Sequence, residues 1–286
     1  MVIVKIIGGL GNQMFQYAFA KSLQQKGYEV KIDISAFETY KLHGGYQLDR
    51  YNIDLDSSTK EENSKFYTNS LVYRVLRKLN MANSRIIKEK SLLFYDKLFD
   101  VEDGYYLDGY FQCEKYFKDI REIILKQFTI NQEVSNYTKE IKNKIQNFQN
   151  SCSLHIRRGD FVNSKNINIH GACDIEYYKK AMKYLEEKVV NINYFIFSDD
   201  IEWVKENLAI QNAIYIDSKE KRIPHEDIYL MSLCKNNIIA NSSFSWWGAW
   251  LNQNEKKMVI APKRWFADDK LESQSKDIVC ESWVRV

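Results

Sequence analysis

Short continuous apolar runs alternate with stretches of helical spacing along this chain of 286 residues. Residues 2–7 (VIVKII) are β-branched and continuous, which suits a strand buried on both faces of a parallel sheet. Gly8, Gly9 and Gly11 follow. A helix with apolar positions at Met14, Phe15, Ala18, Phe19 and Leu23 comes next and stops at Gly27. A strand, a glycine turn and a helix together aim backbone N–H groups at an anion. Residues 28–33 (YEVKID) read as the next strand. Farther on, residues 104–117 (GYYLDGYFQCEKYF) hold strand-like aromatics that turn at Gly109 ahead of a helix.

The second half is more regular. Strands are expected at 151–156, 193–197, 213–216, 237–240 and 258–260, and helices at 174–188, 201–208 and 225–234. Repeated βα units predict a parallel sheet, whose ligands bind at the carboxyl ends of the strands. The polar stretch 131–150, with helical spacing in Tyr137, Ile141, Ile145 and Phe148, marks the boundary of two domains, 1–140 and 141–286. The fold class is α/β.

Charge and composition narrow the function. A formal net charge of +3 gives no global field for nucleic acid. Cys113, Cys152, Cys173, Cys234 and Cys280 are scattered and odd in number, so a reduced, cytoplasmic setting is expected, with neither a disulfide framework nor a zinc site. No signal peptide or bilayer-spanning run is read. Residues 65–90 carry seven basic residues against Glu89 alone, with an apolar helical stripe at Val72, Tyr73, Val75, Leu76 and Leu79. Such a segment can pack as a solvated helix, lie on the inner face of a membrane, or receive a lipid-linked oligosaccharide. Nineteen tyrosines lean toward sugar contacts.

The candidate chemistry centres on residues 153–161, SLHIRRGDF. Arg157 and Arg158 end a strand, cannot lose their protons and must find an anion. Arginine forks fit a diphosphate, and Asp160 can hold one of them. Asp199 and Asp200 follow another strand, where a carboxylate can accept two N–H bonds from a guanine edge. Ser242 and Ser243, at a helix start, can donate to phosphate. Tyr110, Phe111 and Gln112 suit a sugar platform, although aromatics beside a sheet are more often core. Gly9 and Gly11 also give G-x-G with Asp33 downstream, but Met14 occupies the third glycine position of a dinucleotide fingerprint. Asp54 and Asp56 form a D-x-D that reads as a turn or helix cap rather than a metal site.

HIRRGD resembles the H-x-R-R-x-D motif of the α-1,2-fucosyltransferases. GGLGNQMFQYAFA, DGYFQCEKYF, FSDD and IIANSSFSWWGAWLN resemble that family's other blocks, in the same order. The resemblance implies a GT-B architecture, two Rossmann-like domains facing across a cleft, and inverting transfer of L-fucose from GDP-β-L-fucose to a β-galactoside without metal or other cofactor. By position, Arg157 and Arg158 would bind the diphosphate, His155 and Asp160 would orient them, and Asn12, beside Gly11, would reach the phosphates. Asp33, His43, Asp160 and Glu226 are all conceivable bases. Asn236 and Cys113 depart from the family pattern. Other readings are transfer of a different GDP-sugar or to another hydroxyl, and a catalytically silent nucleotide- or glycan-binding protein.

Overall fold

The computed structural model describes residues 1–40, 42–66, 85–159, 167–216 and 223–286. They form two compact units, Met1–Asn131 and Gln132–Val286. The helix Asn136–Asn147, which a division at 140/141 would cut, lies whole in the second.

The first unit runs β1 (Val2–Lys5), α1 (Leu10–Gln25), β2 (Val30–Asp33), α2 (Lys60–Ser64), β3 (Ile86–Lys88), β4 (Tyr106–Asp108) and α3 (Arg121–Gln127). Its four strands are parallel, in the order β2-β1-β4-β3. Strand β3 falls in the basic segment read as helical. The apolar stripe at 72–79 lies outside the described residues.

Helix α1 is buried around most of its circumference, so its polar residues need internal partners. Lys21 Nζ meets Asp54 at 2.6 Å, which makes Asp54 a counter-ion in an extended segment rather than the expected turn or cap. The cap nearby is Thr59, whose side chain accepts from Glu62 N while Glu62 reaches back to Thr59 N.

The second unit runs α4 (Asn136–Asn147), β5 (Ser151–Ile156), α5 (Ile175–Glu186), β6 (Asn193–Ser198), α6 (Ile201–Asn207), β7 (Ala213–Tyr215), α7 (Pro224–Leu233), β8 (Asn236–Ile238), α8 (Ser243–Trp250), β9 (Val259–Ala261), α9 (Asp269–Glu272) and β10 (Val284–Arg285). All six strands are parallel, in the order β10-β9-β8-β5-β6-β7. Strand β5, buried at every position, is central. The helix starts are written in the chain: Asp174, Asp200 and Ser242 cap α5, α6 and α8, and Pro224 opens α7.

Apolar faces of α5 (Tyr178, Ala181, Leu185) cover Leu154, Ile156 and Ile196 of the sheet. Trp246, Trp247 and Trp250 of α8 are buried together, and Trp246 Nε1 donates to Ile278 O at 2.7 Å. Truncating such an indole costs about 3–5 kcal/mol. Among the described residues no helix is long and apolar enough to cross a membrane.

Glu226, one of the conceivable bases, is a structural anchor. Its buried carboxylate accepts from Ser135 N (2.7 Å), Ser135 Oγ (2.6 Å) and Thr138 Oγ1 (2.6 Å), tying α7 to the start of α4. Burial pushes its pKa up, but the bonds from Ser135 and Thr138 outweigh burial and hold it below the usual carboxylate value. Its stabilising contribution is therefore complete above the unfolded-state pKa and is lost as pH falls through the lower folded-state value. Glu226→Ala is expected to destabilise by about 2–3 kcal/mol, or roughly 5–10 °C in Tm at pH 7. Thermal unfolding at pH 7 and pH 4 checks this, and the difference from wild type should shrink at the lower pH.

Candidate active site

In-register pairing of β5 with β6 sets the geometry of the second unit's polar end. Ile156 stands opposite Ser198, so the next residues of the two strands, Arg157–Arg158 and Asp199–Asp200, emerge side by side. Arg157 Nη1 lies 2.8 Å from Asp199 Oδ2, and Arg158 N donates to Asp199 Oδ1 at 2.9 Å. Arg158 Nε donates to Asp200 Oδ2 at 3.2 Å, and its guanidinium carbon sits 3.7 Å from the centroid of the Trp203 ring. Asp200 also caps α6, its Oδ1 accepting from Trp203 N at 3.2 Å, and its own N–H donates to Ser198 Oγ at 3.0 Å.

Two adjacent cations thus meet two adjacent anions, all partly exposed. The sequence offers Asp160 as the carboxylate that pairs with the arginines and gives Asp199 or Asp200 to a guanine edge. In the structure Asp199 and Asp200 hold the arginines, and Asp160 lies outside the described residues. The pairing crosses between strands, whereas the sequence shows only chain neighbours.

Gly159 is required by close approach. A Cβ there would stand 2.5 Å from Asp199 Oδ2, the oxygen that holds Arg157. His155, buried in β5, packs its ring against Phe244 at 5.6 Å. Ser242 Oγ accepts from Phe244 N at 3.3 Å as the cap of α8, and Ser243 is the first residue of that helix. The hydroxyl proton of Ser242 is still available to an anion, so cap and phosphate donor are compatible roles.

Asn241 organises the neighbouring backbone. Its Nδ2 donates to His170 O, Gly171 O and Trp265 O at 2.8–3.1 Å, and its Oδ1 accepts from Cys173 Sγ at 3.3 Å. Burial pushes the Cys173 thiol up to about 12, so it stays protonated at neutral pH and is no nucleophile.

The first unit has its own polar cluster at the carboxyl end of β1 and β4. Asn12 Oδ1 accepts from Gln112 Nε2 at 2.7 Å, joining the glycine turn to the 110–112 segment. Gly11 is buried in the first turn of α1. Gln13 Nε2 donates to Gly8 O and Gly45 O at 2.8 Å, and Gln16 Nε2 donates to Gly109 O at 2.9 Å. Successive amides of one helix thereby hold three loops.

Glu89 suspends the 110–112 segment. Its carboxylate accepts from Tyr110 N (2.7 Å) and Phe111 N (3.1 Å), and burial raises its pKa against those two bonds. Gly109 leaves room for it, since a Cβ there would stand 2.5 Å from the Glu89 Cβ. This path leaves Tyr110 43% exposed and turns Phe111 inward. Phe111, expected on a sugar platform, is core instead, with its ring 4.3 Å from that of Phe19. Glu89 and Trp203 were not singled out for the site by sequence reasoning. The signals available were the lone acid in a basic run and the third helical position after an aspartate cap.

The four conceivable bases separate. Asp33 is buried and accepts from Tyr106 OH (2.6 Å) and Ser35 N (2.8 Å), and Glu226 is the anchor already described. Asp160 lies outside the described residues. His43 is exposed, with its Cβ 3.4 Å from where a Gly9 Cβ would stand.

Comparison with known proteins places this geometry. The model of glycosyl transferase family 11 matches residues 1–286. An alpha-1,2-colitosyltransferase of Escherichia coli is 37% identical over 296 residues, covering 100% of this chain and 99% of the relative. The O-antigen biosynthesis glycosyltransferase WbnK of Escherichia coli is 35% identical over 308 residues, covering 98% of each. Among solved structures, fucosyltransferase NodZ from Bradyrhizobium aligns with a TM-score of 0.53 at 11% identity, over 86% of this chain and 91% of that one, a likeness of fold. The α/β architecture of GT-B glycosyltransferases is therefore this chain's fold class.

Gly159→Ala is expected to leave the fold intact, because the displaced atom is a carboxylate oxygen at the rim of the sheet. It should break the Arg157–Asp199 pair and lower stability by less than about 1 kcal/mol, the scale of one partly exposed ion pair. Far-UV circular dichroism reads the fold and thermal unfolding reads the stability.

Proposed function

Because the chain belongs to glycosyl transferase family 11, we propose that it is an inverting galactoside 2-α-L-fucosyltransferase, moving L-fucose from GDP-β-L-fucose to the 2-hydroxyl of a β-galactoside in surface-glycan or O-antigen assembly. The observation that carries the reading is the arginine pair held at the strand ends by Asp199 and Asp200. Breaking the sugar–phosphate bond places negative charge on the departing GDP. Preorganised guanidinium groups offset that charge where other enzymes use a divalent cation, so the reaction needs no metal. Arg157 takes the β-phosphate side and Arg158 its neighbour. Ser242 and Ser243 donate to the phosphates. Tyr110 and Gln112 contact the acceptor, and His43 is the described candidate for its base.

A second reading is favoured by the colitosyltransferase relative. Colitose is fucose without its 3-hydroxyl, so the diphosphate clamp would serve either donor. A donor contact to that hydroxyl would separate them, since a site built to hydrogen-bond a hydroxyl rejects a substrate lacking it far more strongly than the reverse.

The test offers GDP-fucose and GDP-colitose separately with a panel of β-galactosides in EDTA, and mass spectrometry reads the added sugar. Addition of one deoxyhexose with linkage at the 2-hydroxyl supports the fucosyl reading, and addition only of the dideoxy sugar replaces it. GDP binding without any turnover favours a silent binding protein. Arg157→Ala is expected to lower kcat by about a hundredfold or more with the fold retained, and a variant with near-native kcat would sink the assignment of the clamp.

A further inference from the structure

Resting on the reading that Arg158 meets a nucleotide diphosphate, we infer that Trp203 is a positioning residue that fixes the plane of the Arg158 guanidinium. A single bond from Nε to Asp200 Oδ2 at 3.2 Å holds one edge of the group but leaves its plane free to swing about that contact. The indole supplies the missing constraint, lying face-on with the guanidinium carbon 3.7 Å from its centroid. Trp203 is itself braced, being half-buried against the core formed by α5 and the sheet.

Asp200 refers both restraints to the same turn of backbone. One carboxylate oxygen accepts the Trp203 N–H at the start of α6, and the other accepts Arg158 Nε. Ring and edge therefore keep their relation to each other wherever the turn goes. Among the described residues no hydrogen bond reaches either Nη group of Arg158, so the edge that fits two phosphate oxygens stays available. The arrangement is specific to arginine, because an ammonium has no plane to stack.

The test measures GDP affinity by calorimetry for wild type, Trp203→Leu and Trp203→Phe, each also in an Arg158→Ala background. A cation–π contact at a partly desolvated site predicts that Trp203→Leu weakens GDP about tenfold, and that Trp203→Phe stays within about threefold. In the Arg158→Ala background Trp203→Leu should change affinity less than about twofold. The KM for the GDP-sugar should rise with the loss of affinity while the KM for the acceptor does not move.

Wild-type affinity in Trp203→Leu, or an equal loss with and without Arg158, overturns the inference, the second outcome marking Trp203 as merely structural. Wild type that binds GDP but transfers no sugar defeats the proposed reaction and leaves this inference standing on its affinities. Wild type that binds no GDP overturns both.

Discussion

The site depends on a register. Strand β5 pairs with β6 so that the last residues of both strands stand level, and two arginines leave one strand end where two aspartates leave the other. Shifting that pairing by one residue would turn every side chain of β5 to the opposite face of the sheet. The burial of all six β5 positions makes such a slip prohibitive. The ion-paired quartet is thus held by the hydrophobic core below it more than by its own Coulomb energy, which is modest for partly exposed charges. Arg157, Arg158, Asp199 and Asp200 need only be the residues that come next.

The same logic explains why so much of the second unit could be read from the chain alone. Its strands include apolar runs such as 194–197 and Val259–Ala261, and its helices open on Asp174, Asp200, Ser242 and Pro224, so period and cap agree. Strand β3 escaped because it lies in a basic stretch, and β10 because its two residues leave no room for alternation. Helix α1 was legible by period, but its buried glutamines were not. Their partners are carbonyls of loops at Gly45 and Gly109, distant in sequence.

Pairings across the sheet were the other blind spot. Arg-Arg-x-Asp invites a local partner for the arginines, and nothing in the linear order says that residues about forty positions later lie nearer than expected. Phe111 was misplaced for a related reason. Aromatics beside a strand end can face a ligand or the core, and only the backbone path decides between them. That path is bent by Glu89, whose role no local pattern discloses.

The suspension of the 110–112 segment from Glu89 has an evolutionary corollary. The hook grips main-chain N–H groups, which every residue except proline carries, so the loop keeps its course whatever side chains occupy its outward positions. Relatives could exchange the exposed Tyr110 side chain without renegotiating the scaffold. The invariants to look for across such a lineage would be a glycine at 109 and an acid at 89, while the outward side chain at 110 is free to change.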